Sequence, residues 1–172
     1  MKVKNNMSIT NGLNKMNQLK ILNKNEKQEI VNKLKNQFGI NEVSGMLIKV
    51  GEERIFLFRG NLNEKQIKKL EKTVPIERIG VYFGKEQNNQ IRISIECVNI
   101  LKNQINKNIF ELNEKQAEQW MKGQELNIQT GKKDFLIMKY KDNFLGCGKA
   151  SAEKIGNYIP KSRRLKSKEI IK

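Results

Sequence analysis

One tetrapeptide, Asn-Glu-Lys-Gln, stands at Asn25–Gln28, Asn63–Gln66 and Asn113–Gln116, and it constrains the fold more than any other feature of the chain. Each copy reads as a helix start. Asn is a strong N-cap because its side-chain oxygen accepts from backbone N–H groups that lack a helical partner. Glu in the first turn suits the positive end of the helix dipole, and Gln at the third position can close a capping box. The apolar spacing agrees. Ile30, Val31, Leu34 and Phe38 follow the first copy, with Gly39 as the stop. Ile67, Leu70 and Val74 follow the second, ended by Pro75. Ala117, Trp120 and Met121 follow the third, ended by Gly123. The copies are unequally spaced, so they are not a solenoid repeat.

Short strands fill the gaps. Met46–Val50 and Arg54–Phe58 flank Gly51-Glu52-Glu53, a hairpin signal. Arg78–Phe83 and Ile91–Ile95 flank Gly84 and the polar tip Gln87–Gln90, a second hairpin. Ile93 and Ile95 alternate with Arg92 and Ser94, which predicts one buried and one wet face. Val98–Leu101 reads as a helical turn, and Gln18–Leu22 allows a further strand. The character changes near Asn106–Asn108. Beyond the third helix, Leu126–Ile128, Phe135–Tyr140, Phe144–Lys149 and Lys154–Ile159 are short strands between Gly and Asp-Asn turns. Their even spacing predicts a small closed β-barrel, which leaves no exposed edge. The expected class is α+β. A flexible tail at 1–18 precedes a mixed α/β sheet domain at 19–108, a small barrel at 109–167 and a basic tail at 168–172.

Charge narrows the function. The net charge is +16, from 34 Lys+Arg against 18 Asp+Glu, so a polyanion is the natural partner. Lys and Asn are also favoured by AT-rich coding, so the Lys excess overstates the signal. The acids do not rise in step, however. Residues 130–172 carry twelve Lys and Arg against four acids, so +8 falls in a quarter of the chain. Lys161, Arg163, Arg164 and Lys166 cluster there beside Tyr158. An Arg fork binds phosphate in bidentate fashion or stacks on a base. Following Pro160 in a polar stretch, these side chains are expected to be exposed.

The catalytic inventory is thin. The chain has no His, which removes the commonest general base and most zinc arrangements. Asp134 and Asp142 are the only Asp residues and form no paired motif. Glu52-Glu53 reads as a solvated turn tip. Cys97 and Cys147 have no metal-type spacing, and with no leader or long apolar run they point to a reducing compartment and argue against a disulfide. Gly146-Cys147-Gly148 lacks the third glycine of a dinucleotide fingerprint and reads as close backbone approach. Trp120, on the apolar helix face, is expected in the core. Tyr82 and Phe83 alternate, so one should face in and the other out. Tyr140 and Tyr158 could face either way.

The second half resembles the PUA domain, an RNA-binding module of pseudouridine synthases and archaeosine transglycosylases. The likeness runs from Phe110 through the Asn113 helix to Gly123. It continues in Asp134–Tyr140, in Phe144-Leu-Gly-Cys-Gly148-Lys, and in Lys154–Leu165. The ending Asn157-Tyr-Ile-Pro-Lys-Ser-Arg-Arg164 is similar to the PUA-type tail of Sun-family RNA cytosine methyltransferases. Ile79–Gly84 and Ile91–Ile95 resemble the domain before PUA in large-subunit pre-rRNA processing factors. The chain departs from these families in having no room for a methyltransferase domain and no glycine-rich cofactor loop.

The resemblance implies an RNA groove between the helix-following turn and the last strand. It would set Lys122, Gly123 and Gln124 opposite Lys161, Arg163 and Arg164, with Lys139, Lys149, Tyr158 and Lys166 as further RNA-binding candidates. The expected protein is non-catalytic, with no metal or other cofactor and no membrane partner. It would be cytoplasmic and bind structured RNA, rRNA or tRNA, as a ribosome-biogenesis or RNA-modification accessory factor that can also meet a protein of that machinery. The rival readings are a protein-interaction adaptor and a detached RNA-delivery subunit of a separately encoded RNA methyltransferase.

Overall fold

The structure, a computed structural model, describes residues 19–166. The tails read at 1–18 and 168–172 lie outside the described residues. The first half is a five-stranded antiparallel sheet whose strands lie side by side in chain order. They are β1 (Leu19–Ile21), β2 (Met46–Val50), β3 (Arg54–Phe58), β4 (Val81–Gln87) and β5 (Gln90–Ile93). Helices α1 (Lys24–Phe38) and α3 (Ile95–Ile100) cover one face, and α2 (Glu64–Thr73) covers part of the other. Helices on both faces explain why β2 and β3 are apolar almost throughout. Leu47, Ile55 and Leu57 pack with Leu34 and Phe38 of α1, while Ile48, Val50 and Phe56 pack on the opposite side with Ile67 of α2. Phe83 is fully buried in the α1 face and Tyr82 is half-buried on the other, as their alternation predicts.

The repeated tetrapeptide starts helices as read at two sites. Asn63 and Asn113 are N-caps, and Gln66 and Gln116 close reciprocal capping boxes. At the first copy the cap is Asn23, not Asn25. Asn23 Oδ1 accepts from the backbone of Asn25 and Glu26, and Glu26 returns a bond to the Asn23 N–H at 3.0 Å. The earlier box wins because its third position is a carboxylate, the stronger acceptor. Gly39 ends α1 in the left-handed region at φ 81°. On α2 only Ile67 is buried. Leu70 and Val74, expected to share its face, are 41% and 44% exposed because the short helix meets the sheet through a single turn.

The second hairpin also differs from its expected limits. β4 begins at Val81 and continues through Gly84 to Gln87, with a bulge at Phe83 where its register against β3 shifts. Its turn is Asn88-Asn89, with φ 49° and 58°, and Gln87 pairs with Gln90. Two positive φ angles in a two-residue loop match the twist of the flanking strands, and Asn tolerates that conformation. β5 stops at Ile93, and Ser94 caps α3 by accepting from the Cys97 N–H at 3.1 Å.

The second half is a four-stranded sheet of β6 (Ile109–Glu111), β7 (Phe135–Tyr140), β8 (Asn143–Ala150) and β9 (Ile155–Asn157), with α4 (Glu114–Met121) after β6. β6 pairs parallel to β7, and the other pairs are antiparallel. No closed barrel forms among the described residues. The strand expected at Leu126–Ile128 reduces to a single bridge between Leu126 and Ile155. Closure is replaced by cover on both faces. One face packs under α4 through Leu136, Met138, Ala150 and Trp120. The other, through Phe135, Ile137 and Cys147, enters the same core as α1, α3 and the first sheet.

Trp120 is fully buried, as expected, and its indole N–H donates to the Leu145 carbonyl at 2.8 Å. Gly148 sits beneath it, where a Cβ would come within 2.7 Å of the indole edge. That contact accounts for Gly148 as close backbone approach, whereas Gly146 is needed for its left-handed backbone at φ 91°. Truncation of Trp120 would empty a large volume and orphan the Leu145 carbonyl. Trp120→Ala should therefore lower stability by about 3–5 kcal/mol in denaturant titration. A change below about 1 kcal/mol would place the indole outside the core.

Candidate nucleic-acid interface

Two backbone features build the candidate site. Helix α4 ends at Lys122, and Gly123 turns the chain at φ 82°. After β9 the chain passes Ile159 and Pro160 into a 3-10 turn at Lys161–Arg163. Asn157 ties the two together. Its side-chain amide donates to the carbonyls of Trp120 at 2.7 Å and Gln124 at 3.0 Å, and its oxygen accepts from the Ile159 N–H at 2.8 Å. Further along, the Leu165 N–H donates to the Met121 carbonyl at 2.9 Å. The turn at 122–124 and the segment at 157–165 thus lie side by side.

Arg164 closes this junction. Its guanidinium lies over Gly123, where any Cβ would collide with it. Its Nε donates to the Ile159 carbonyl at 3.0 Å, and the residue is half-buried. This differs from the expected free exposure. The bare backbone of Gly123 offers a flat bed for the guanidinium plane, and the Ile159 carbonyl past the strand end needs a donor. Arg163 is exposed as expected, and its Nε meets Glu96 of α3 at 3.0 Å. Lys161 and Lys166 are exposed on the same segment. Lys122 is half-buried and pairs back along its helix with Glu118.

Tyr158 and Lys149 belong to a second group. The guanidinium of Arg92, on β5, lies 4.4 Å from the centre of the Tyr158 ring. Tyr158 and Phe135 are 6.2 Å apart, and Lys149 Nζ stands 4.5 Å over the Phe135 ring. The result is a cation–aromatic–aromatic–cation cluster across the junction of the two halves, with the two rings tilted at 56°. Lys149 also donates to Gln90 Oε1 at 2.6 Å, and Gln90 donates to Asp134 at 3.0 Å. Tyr158 is 40% exposed, so the cluster has an open side. Lys139 stands apart from both groups, paired with Glu111 of β6 at 2.7 Å. Tyr140 is half-buried against the core under α4.

Reading the sequence missed Arg92 and Asn157. The polar positions of β5 mark Arg92 as facing away from the core, but nothing local places it on Tyr158, 66 residues later. Asn157 sits in a Gly-Asn turn signal that does not reveal its two long-range bonds, to Trp120 and Gln124. Both thiols are buried and free. Burial pushes Cys97 up to about 11 and Cys147 up to about 12, so both stay protonated at neutral pH. No helix among the described residues is long and apolar enough to cross a membrane.

The comparisons with known proteins fall on this geometry. No curated protein matches the chain. One family model, described as the methyltransferase RsmF PUA domain, matches residues 107–165. The matched stretch opens just before β6, contains α4 and all of the second sheet, and ends at Leu165. Residues 107–165 therefore form a PUA-type domain, similar to that of a methyltransferase, carried behind an N-terminal α/β sheet.

Proposed function

We propose that the protein is a non-catalytic RNA-binding factor that holds structured RNA, rRNA or tRNA, along the junction of residues 122–124 and 157–166. The observation that carries this reading is the PUA-type match over 107–165, in a chain whose charge is +16. In this account Lys122, Lys161, Arg163 and Lys166 supply phosphate contacts, and counterion release supplies much of the affinity. Arg164 covers Gly123 and so fixes the turn that presents Gln124. Tyr158 and Lys149 extend the surface toward the first half, while Lys139 adds peripheral charge. The role is that of an accessory factor in ribosome biogenesis or RNA modification, working in the cytoplasm beside a protein of that machinery. The resemblance of the first half to pre-rRNA processing factors supports ribosome biogenesis. The methyltransferase named in the family match favours a second reading, an RNA-delivery subunit for a separately encoded RNA methyltransferase. Co-purification of such an enzyme would select it.

The direct test is affinity for bulk tRNA and rRNA fragments against salt. The logarithm of the binding constant should fall by about 0.7–0.9 per decade of salt for each phosphate neutralised. A flat response, or no binding at low salt, overturns the reading and leaves the charge a solubility device.

The two adjacent arginines should separate binding from stability. Arg163 makes one surface ion pair, with 59% of its side chain exposed, so Arg163→Ala should change stability by less than about 0.5 kcal/mol. It should weaken RNA binding by about 1–3 kcal/mol. Arg164→Ala removes the bond to Ile159 and the cover over Gly123, and should cost about 1–2 kcal/mol of stability as well. Equal melting temperatures for both variants would contradict the structural role of Arg164. Unchanged RNA affinity in a folded Arg163→Ala protein would move the site elsewhere.

A further inference from the structure

The exposed end of the first sheet carries a charge arrangement that folding alone does not favour. Arg54 of β3 is registered opposite Lys85 of β4, and Lys85 opposite Arg92 of β5. Three cations therefore stand in one row across three neighbouring strands. A strand spacing near 4.8 Å puts the ends of the row about 10 Å apart. Like charges directly opposite one another destabilise a sheet. Lys85 is relieved by an ion pair with Glu53, but neither arginine has a carboxylate partner among the described residues. The row lies on the face opposite α1, beyond the part that α2 covers.

This end of the sheet forms an open groove of about 930 Å³. Its floor includes Val50 and the half-buried ring of Tyr82. Lys68 stands on the side of α2, where it meets Glu71. Glu52 and Glu53 mark the hairpin tip. At its far end the row does not stop at the sheet edge. Arg92 lies on the Tyr158 ring of the PUA-type half, next to Ile159 and Pro160, and Tyr82, Arg92 and Tyr158 line one small crevice between the halves.

We propose that this groove is a second RNA-binding site, which takes a single-stranded segment continuing from the RNA held by the PUA-type half. The proposal rests on the RNA-binding reading above and extends it to the N-terminal sheet. A cation row at strand spacing can follow the phosphates of one strand, while an aromatic floor accepts the face of any base. An acidic peptide would also meet the charges. The aromatic side chains and the continuity through Arg92 and Tyr158 favour a nucleic acid that runs across both halves.

The test uses the full chain and two RNA probes, a blunt hairpin and the same hairpin with an oligouridine tail. The tail should tighten binding by about tenfold at low salt and steepen the salt slope by about 0.7 for each phosphate seated. Arg54→Ala/Lys85→Ala should abolish the gain from the tail and leave blunt-hairpin affinity within about twofold. Arg54→Ala alone, at an exposed strand end, provides a variant that keeps the fold and should lose part of the gain. If the wild type binds the blunt hairpin and the tail adds nothing, or if the gain survives both substitutions, the groove is not an RNA site and the PUA-type site stands. If the wild type binds neither probe, both readings fall. If polyglutamate displaces the tail as well as oligouridine does, the groove is an acidic-peptide site and the proposal is overturned.

Discussion

The fold depends on one shared hydrophobic core. Phe135, Ile137 and Cys147, all on the second sheet, pack in the same cluster as Phe38 of α1, Phe83 and Ile93 of the first sheet, and Val98 of α3. Full burial of a Phe or Ile side chain stabilises by about 1.5–3 kcal/mol, so these residues join the halves firmly. Polar ties ring the contact. Asn108 donates to the Gln37 carbonyl at 2.9 Å, Asn99 to the Phe144 carbonyl at 3.1 Å, and Gln90 to Asp134. Once this face is sealed, the second sheet need not close on itself, because α4 and Trp120 cover its other side. The same junction brings Arg92 to Tyr158 and Glu96 to Arg163.

Local rules made much of the fold legible. Capping boxes at Asn63 and Asn113, the Gly39 stop and the limits of β2, β3 and β7 all follow from signals within a few residues of one another. The failures share a physical origin. Asn23 and Asn25 both offer a cap with an acceptor three residues on, and only the relative strength of Glu26 and Gln28 as acceptors separates them. Leu70 and Val74 continue a helical period, but the sequence does not say how far the sheet extends beneath them. Periodicity shows that a strand has an apolar face, not what covers it. A barrel interior and a shared core therefore look alike along β7 and β8.

The candidate site was legible to a similar depth. The turn at 122–124 and the basic segment after Pro160 meet as the PUA resemblance implies. Composition could identify the arginines but could not rank them. Arg163 and Arg164 are neighbours with the same side chain, yet one reaches across to α3 while the other lies on a glycine and holds a carbonyl. Arg92 shows the larger limit. Its part in the surface comes from a stack with a residue of the other half, so no window of sequence contains it.

The central claim is that RNA lies along the PUA-type junction of a chain whose two halves share one core. Hydrogen–deuterium exchange on the full chain, with and without a bound structured RNA, tests it most directly. Backbone amides of residues 122–124 and 158–165 should slow when RNA binds, while those of α2 away from the groove stay unchanged. Protection confined to other surfaces, with the amides of 122–124 and 158–165 unaffected, would contradict the account.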